Sequence, residues 1–305
     1  MNALLYVTTV LIWGTTWLAI KLQLGDVPAP VSIAWRFWLA AAVLLLILVA
    51  TKKPLWPPRR AWRYLVAQGT ALFCCNFLCF YYASAHVPSG LVAVVFSTAP
   101  VWNAINGRLF LGRPIRASVM AGAALGLAGI GLLFLPQMQG HWQDGGMLAG
   151  LALALLGTLC FSAGNLLSSR MQALGLTPWL TNTWAMFIGA AILTLGALAL
   201  GMPFRFEPTA QYVGSLLYLA IPGSVIGFTA YLLLVGRMGP DRAAYCTVLF
   251  PVVALTVSSI YEDYRWSGAA FAGLALVIAG NLLAFLPAKV KTPAAAVAAP
   301  ARKAG

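Results

Sequence analysis

Apolar runs of membrane-crossing length follow one another along almost the whole chain, and no water-soluble core can absorb that many. A bilayer core of about 30 Å is crossed by roughly 20 helical residues. Runs of that kind are placed at Leu4–Ile20, Val31–Val49, Tyr64–Ala83, Gly90–Leu111, Ser118–Leu135, Met147–Ser168, Leu180–Leu200, Tyr212–Val235, Ala243–Tyr261 and Gly268–Leu286. The expected fold class is therefore an all-α membrane protein with ten transmembrane helices and short loops. Composition agrees: 61% of the 305 residues are hydrophobic and 8% charged, whereas a soluble domain is about one-quarter charged. The first run opens on Met1-Asn2-Ala3, with no basic n-region, and leads into Trp13-Gly14-Thr15-Thr16 without a clear cleavage site. It reads as a retained helix.

A formal net charge of +13 would fit a nucleic-acid partner, but the basic residues fall in alternate loops. With a cytoplasmic N-terminus, the inside segments hold fifteen of the nineteen, among them Lys52, Lys53, Arg59, Arg113, Arg116, Arg170 and Arg242. The outside loops hold Lys21, Arg205 and Arg265, with Asp26, Asp144, Glu207, Glu262 and Asp263. The positive-inside rule thus places both termini in the cytoplasm. The partners expected are the lipid bilayer and a small-molecule substrate, not nucleic acid. The Ala/Pro/Lys-rich stretch 288–305 reads as a disordered tail.

Cys74, Cys75, Cys79, Cys160 and Cys246 all fall inside spans, without zinc-type spacing, and read as small packing residues. His86 and His141 stand far apart near outside loops. Neither a metal nor a cofactor is expected.

An internal repeat emerges when spans four and five are set beside nine and ten. His86-Val87-Pro88-Ser89-Gly90, Ala99-Pro100-Val101 and the run Ala121–Gly129 correspond to Met238-Gly239-Pro240-Asp241, Phe250-Pro251-Val252 and Phe271–Gly280. The proline spacing is twelve residues in one half and eleven in the other. Five spans per repeat is an odd number, so the second half enters the membrane from the opposite side, as in many secondary carriers.

Pro100 and Pro251 are expected to kink or loosen helices near the membrane middle, with Pro222 doing so in span eight. Matched interruptions point to a carrier's site, although proline is also commoner in membrane helices generally. Polar residues lie at helical spacing beside them: Asn103 and Asn106 in span four, and Thr247 and Ser258 in span nine. Asn76 in span three, Ser162 and Asn165 in span six, and Thr229 in span eight join the cavity candidates. Each either glues helices together or lines a water-filled cavity. Trp13, Thr16 and Trp17 cluster in span one, where a ring either packs in the core or faces a planar ligand. Arg36 either snorkels to the headgroups or contacts a substrate carboxylate or the facing half. No Asp or Glu falls in the central part of a span, so a carboxylate proton relay has no candidate. Gly122, Gly126 and Gly129 in span five, with Gly273 and Gly280 in span ten, allow close helix contact within one subunit or in a homodimer.

These features resemble the EamA-like family of the drug/metabolite transporter superfamily, ten-helix carriers of the bacterial inner membrane. The matching residues are Ile12-Trp13-Gly14-Thr15, Trp35-Arg36-Phe37, Val87-Pro88-Ser89-Gly90-Leu91-Val92-Ala93, Pro100, the run Gly122–Gly131, Phe250-Pro251-Val252-Val253 and Tyr261-Glu262. The resemblance implies two inverted five-helix repeats, 1–140 and 141–287, around a central cavity, with spans five and ten peripheral. It also implies export of amino acids or related metabolites. The chain departs from the family at Leu111-Gly112-Arg113, where an acid often stands, while Glu262 matches the second copy. No cluster fit for acid–base chemistry accompanies these motifs, and no filter-like loop marks a channel. A sensor or scaffold without transport is the alternative reading.

Overall fold

The structure is a computed structural model that describes residues 2–112, 114–138, 145–243 and 246–285. Arg113, His141, Asp144 and the expected tail lie outside the described residues. Helices α1 (Asn2–Leu22) and α2 (Ala29–Ala50) come first. A long rod, Arg59–His86, follows, in which α3 (Trp62–Gln68) passes through a π-helical stretch, Gly69–Cys75, into α4 (Asn76–His86). Next come α5 (Ser89–Phe96), α6 (Ala99–Leu111), α7 (Ala117–Met138), α8 (Gly146–Ala173) and α9 (Pro178–Ala199). A second rod, Ala210–Met238, has the same build: α10 (Ala210–Tyr218), a π-helical stretch Leu219–Ile226, and α11 (Gly227–Met238). The short α12 (Pro240–Ala243), α13 (Cys246–Tyr261) and α14 (Gly268–Phe285) complete the fold.

Seven of these helical segments are long and apolar enough to cross a membrane: α1, α2, both rods, α7, α8 and α9. The expected fourth span is divided, because α5 stops at Phe96 and Pro100 stands in the first turn of α6. Proline suits that position, where its missing N–H has no helical partner anyway. Pro100 thus begins a helix instead of kinking one. Pro251 lies inside a continuous α13, and Pro222 inside the second π stretch. Residues 249–261 and 268–284 form shorter apolar helices.

The surface is the reverse of a soluble protein's. Leu4, Leu46, Leu109, Met120, Leu195 and Phe271 are at least 60% exposed, whereas Arg36, Gln68, Asn76, Asn165 and Asn182 are buried. Water would drive so apolar a sheath to aggregate; hydrocarbon solvates it. The protein is a multi-pass membrane protein.

Packing falls into reciprocal pairs. α7 lies along α14, and α2 along α9. The contact of α4 with α8 has a counterpart in that of α11 with α1, and α6 with α8 in α13 with α1. Each π stretch is held by a helix from the other half: Gly69–Cys75 by α9, Leu219–Ile226 by α2. Glycine permits the closest of these contacts. A Cβ on Gly129 would stand 2.5 Å from the carbonyl oxygen of Gly273, and one on Gly273 2.7 Å from that of Gly129. Gly129 of α7 and Gly273 of α14 therefore close on each other within one subunit.

Two ends of the bundle are distinguishable. Arg170 approaches the Tyr64 ring at 5.6 Å, Arg237 donates to Asn2, and Arg116 reaches the carbonyl of Ala284. These contacts gather the basic loops at one end. At the other, Lys21 Nζ donates to Ser84 O at 2.7 Å, and Gln211 Nε2 to Leu22 O at 3.1 Å.

Candidate functional site

The site begins with an irregularity in a helix. Pro222 removes one N–H from the ladder of the second rod, and the chain widens into a π-helical turn around it. Two of its groups then turn towards neighbours. Gly223 O accepts from Trp13 Nε1 of α1 at 3.0 Å. Ser224 Oγ donates to Leu219 O at 2.8 Å and accepts from Arg36 Nε of α2 at 2.9 Å. Glycine is required at 227, where any Cβ would meet the indole nitrogen of Trp13.

Arg36 is only 2% exposed and does not reach the headgroups. Its guanidinium lies 4.4 Å from the centroid of the Phe77 ring, a cation–π contact that partly replaces lost hydration. Beside it is a cavity of about 30 Å³. The polar contributors are Trp13, Thr16, Trp17, Arg36 and Asn76. Ile20 and five phenylalanines, Phe77, Phe80, Phe96, Phe161 and Phe228, supply the rest of the wall. Their rings meet edge to face: Trp13 with Phe228 at 4.6 Å, Trp17 with Phe80 at 5.0 Å, and Phe96 with Phe161 at 4.6 Å. Such pairs contribute about 0.5–1.5 kcal/mol each beyond burial. Asn76 Nδ2 donates to Gly157 O at 2.8 Å, so this side chain both joins α4 to α8 and lines the cavity.

A second cavity, of about 80 Å³, opens at the basic end and is lined by Pro100, Asn103, Ser162, Arg116 and Pro240 among others. There Asn106 Nδ2 donates to Ser162 Oγ at 2.9 Å, and Ser162 Oγ donates to Asn103 Oδ1 at 2.7 Å. This chain of bonds ties α6 to α8. Phe161 faces the central cavity and its neighbour Ser162 the basic-end one. An aromatic layer divides the two: Trp13 also touches Tyr231 at 5.0 Å and Phe250 at 6.0 Å.

The opposite end is closed by a clamp. Glu262, just past α13, accepts from the backbone N–H of Ser89 at 3.2 Å, from the Ser89 hydroxyl, and from Ser258 Oγ at 2.7 Å. A carboxylate at the start of α5 also meets the positive end of the helix dipole. Replacing Glu262 with Ala removes bonds to a charged acceptor, at a cost of about 1.5–3 kcal/mol. The expected result is faster hydrogen exchange of the amides of residues 89–96, by roughly tenfold to a hundredfold. Unchanged exchange would show that the clamp carries no load.

The sequence-derived candidates thus separate. Trp13, Thr16, Trp17, Arg36 and Asn76 surround one cavity; Pro100, Asn103 and Ser162 surround another. The remaining four line neither: Asn165 Nδ2 bonds Tyr231 OH at 3.1 Å, Thr247 Oγ1 reaches Ser97 O, and Thr229 and Pro251 are buried. Ser224 and the phenylalanine wall went unnoticed in the sequence, because phenylalanine serves a lipid-facing surface equally well. The signal available for Ser224 was its place two residues after Pro222.

Buried polar groups from both halves of an apolar bundle, arranged about a cavity between helices, define a membrane transporter, and known proteins agree. The sequence profile described as the EamA-like transporter family matches residues 1–135 and 148–286. The chain belongs to that family and is a transporter, not an enzyme. It is 28% identical over 296 residues to the uncharacterized inner membrane transporter YedA of Escherichia coli K12, covering 95% of this chain and 92% of that protein. It is 25% identical over 289 residues to a probable amino-acid metabolite efflux pump of the same strain, covering 92% and 93%. Protein PagO of Salmonella typhimurium is 25% identical over 268 residues, covering 86% and 84%. A solved crystal structure shares the fold with a TM-score of 0.71 at 21% identity, covering 93% of this chain and 96% of that one.

Proposed function

We infer that the protein is a ten-span secondary transporter that exports amino acids or related small metabolites across a bacterial inner membrane by alternating access. The observation that carries this reading is the cavity beside Arg36, walled by helices from both halves of the chain. Support for inverted repeats, 1–140 and 141–287, comes from two family matches in one chain, the reciprocal helix pairs and the matched π stretches. Alternate-loop charge supports cytoplasmic termini. In that orientation the basic-end cavity faces the cytoplasm and the Glu262 clamp closes the outside, a state ready to load cargo. The amino-acid class rests on the name of one relative, and the inner membrane on that of another.

The test is counterflow in proteoliposomes with a panel of amino acids, their oxo-acid and amine derivatives, and other organic acids. Saturable uptake of one class, abolished by heat-inactivated protein, is the expected result. Absence of flux for every class, with folded protein confirmed, would replace this reading with a sensor or scaffold. Within the same assay, Pro100→Ala and Pro251→Ala are expected to lower flux several-fold at equal abundance in the membrane, because Pro100 fixes the start of α6 after the α5–α6 break and Pro251 removes one N–H from the ladder of α13, and both loosen the backbone where the halves rock. Normal flux in both would remove the prolines from the moving parts.

A further inference from the structure

The hydrogen bonds around the central cavity do not balance, and the imbalance has one sign. Four of its side-chain donors are used: Trp13 Nε1 on Gly223 O, Thr16 Oγ1 on Trp13 O, Arg36 Nε on Ser224 Oγ, and Asn76 Nδ2 on Gly157 O. Two are not. Arg36 Nη1 and Trp17 Nε1 are buried without an acceptor among the described residues, and both side chains line the cavity. Arg36 is fully charged at any physiological pH, yet the lining holds no carboxylate. The chain's six acids, Asp26, Asp144, Glu207, Asp241, Glu262 and Asp263, all fall at or beyond the ends of the apolar runs. A buried guanidinium matched by the hydroxyls of Ser224 and Tyr81 and the ring faces of Phe37 and Phe77, but by no carboxylate, is under-compensated. The missing group is an anionic acceptor.

The remaining wall specifies the rest of such a ligand. It is made of phenylalanine and tryptophan rings with Ile20, which receive an aromatic or branched apolar body. The cavity of about 30 Å³ holds about two water-sized groups, the size of a carboxylate, so the body must part the surrounding rings. An α-ammonium fits poorly. It would sit within several ångströms of the Arg36 charge, with no acid in the lining to offset it, and Phe77 already faces the guanidinium.

Resting on the transporter reading above, the geometry points to a net monoanion as cargo: an aromatic or apolar carboxylic acid without an ammonium group. Its carboxylate accepts from Arg36 Nη1 and Trp17 Nε1, and its body lies among the phenylalanines. Zwitterionic amino acids with the same body are weaker ligands.

The experiment uses the full chain purified in detergent and three probes that share one ring system: indole-3-acetate (anion), tryptophan (zwitterion) and tryptamine (cation). Thermal stabilisation is followed as a function of concentration for the wild type, Arg36→Gln and Trp17→Phe. Indole-3-acetate is expected to bind at least about tenfold more tightly than either other probe. Arg36→Gln should abolish that preference, and Trp17→Phe, which keeps the ring and removes the donor, should weaken the anion several-fold. Tryptophan binding as tightly as indole-3-acetate would overturn the proposal. So would an unchanged anion affinity in both variants, or no stabilisation by any probe at about 10 mM. Counterflow with the same probes keeps the two readings apart. Anion binding without flux would defeat transport and leave the site; tryptophan flux indifferent to Arg36 would do the reverse.

Discussion

Arg36→Met should raise the melting temperature of the ligand-free protein by several degrees while lowering flux at least tenfold. A charge taken from water into a bundle costs several kcal/mol, and here hydrogen bonds with Ser224 and Tyr81 and the faces of Phe37 and Phe77 offset part of it. Methionine is unbranched and of similar reach, so it fills the same space beside Phe37 and Phe77 without needing an acceptor. Ser224 keeps its own bond to Leu219 O. Exchange of a buried charged group for a packed apolar one commonly gains about 1–4 kcal/mol. The readouts are intrinsic fluorescence on heating and counterflow at matched protein density. A fall in melting temperature would mean that Arg36 is a structural strut whose partners suffice, and it would undercut the reading of the cavity as an anion site.

The second large effect lies at the α7–α14 contact. Gly129→Leu and Gly273→Leu should each abolish folded protein, because the new Cβ would lie 2.5 Å and 2.7 Å from a backbone carbonyl on the facing helix. Backbone cannot swing aside as a side chain can, and overpacking in well-filled interiors already costs about 1–3 kcal/mol for single methylenes. In lipid there is no hydrophobic penalty for separated helices, so close packing is most of what joins them. Gly131 is the control: nothing stands within 4 Å of its Cβ position, and Gly131→Ala should be neutral or stabilising by up to about 1 kcal/mol. Size-exclusion chromatography of detergent extracts separates the outcomes. A monodisperse Gly129→Leu variant would show that the two helices part readily and that their contact is not structural.

The membrane class could be read from the sequence because hydrocarbon leaves so little choice: a run of 20 apolar residues has one economical fate. The positions of the helices followed to within a few residues for Ala29–Ala50 and Pro178–Ala199. The division of the fourth span did not, since Pro100 inside an apolar run looks the same whether it kinks a helix or starts one. For the site, polarity was the useful signal: Asn76, Asn103 and Ser162 were picked out because an amide or hydroxyl in lipid demands a partner. Which cavity each faces depends on helix rotation, and that is set by contacts such as Gly157 against Phe80 and Cys79, which no single run encodes. Arg36 was read as either surface-reaching or inward; its burial depends on Ser224, nearly two hundred residues away.

The clamp at Glu262 has a consequence for turnover. In the proposed repeat, the sequence position that corresponds to Glu262 is Arg113, a cation that cannot accept from an N–H or hydroxyl as a carboxylate does, and we infer that the two mouths are fastened unequally. A difference of about 1.4 kcal/mol between the two states is a tenfold bias in occupancy. In the proposed orientation, an idle molecule waits with its vestibule towards the cytoplasmic pool, and arriving cargo need not wait for a conformational flip. The slow step then moves to the far side of the cycle, where cargo binding must help to release the serine from the carboxylate. Such a carrier would act as a rectifier, filling readily from one compartment and re-entering reluctantly from the other.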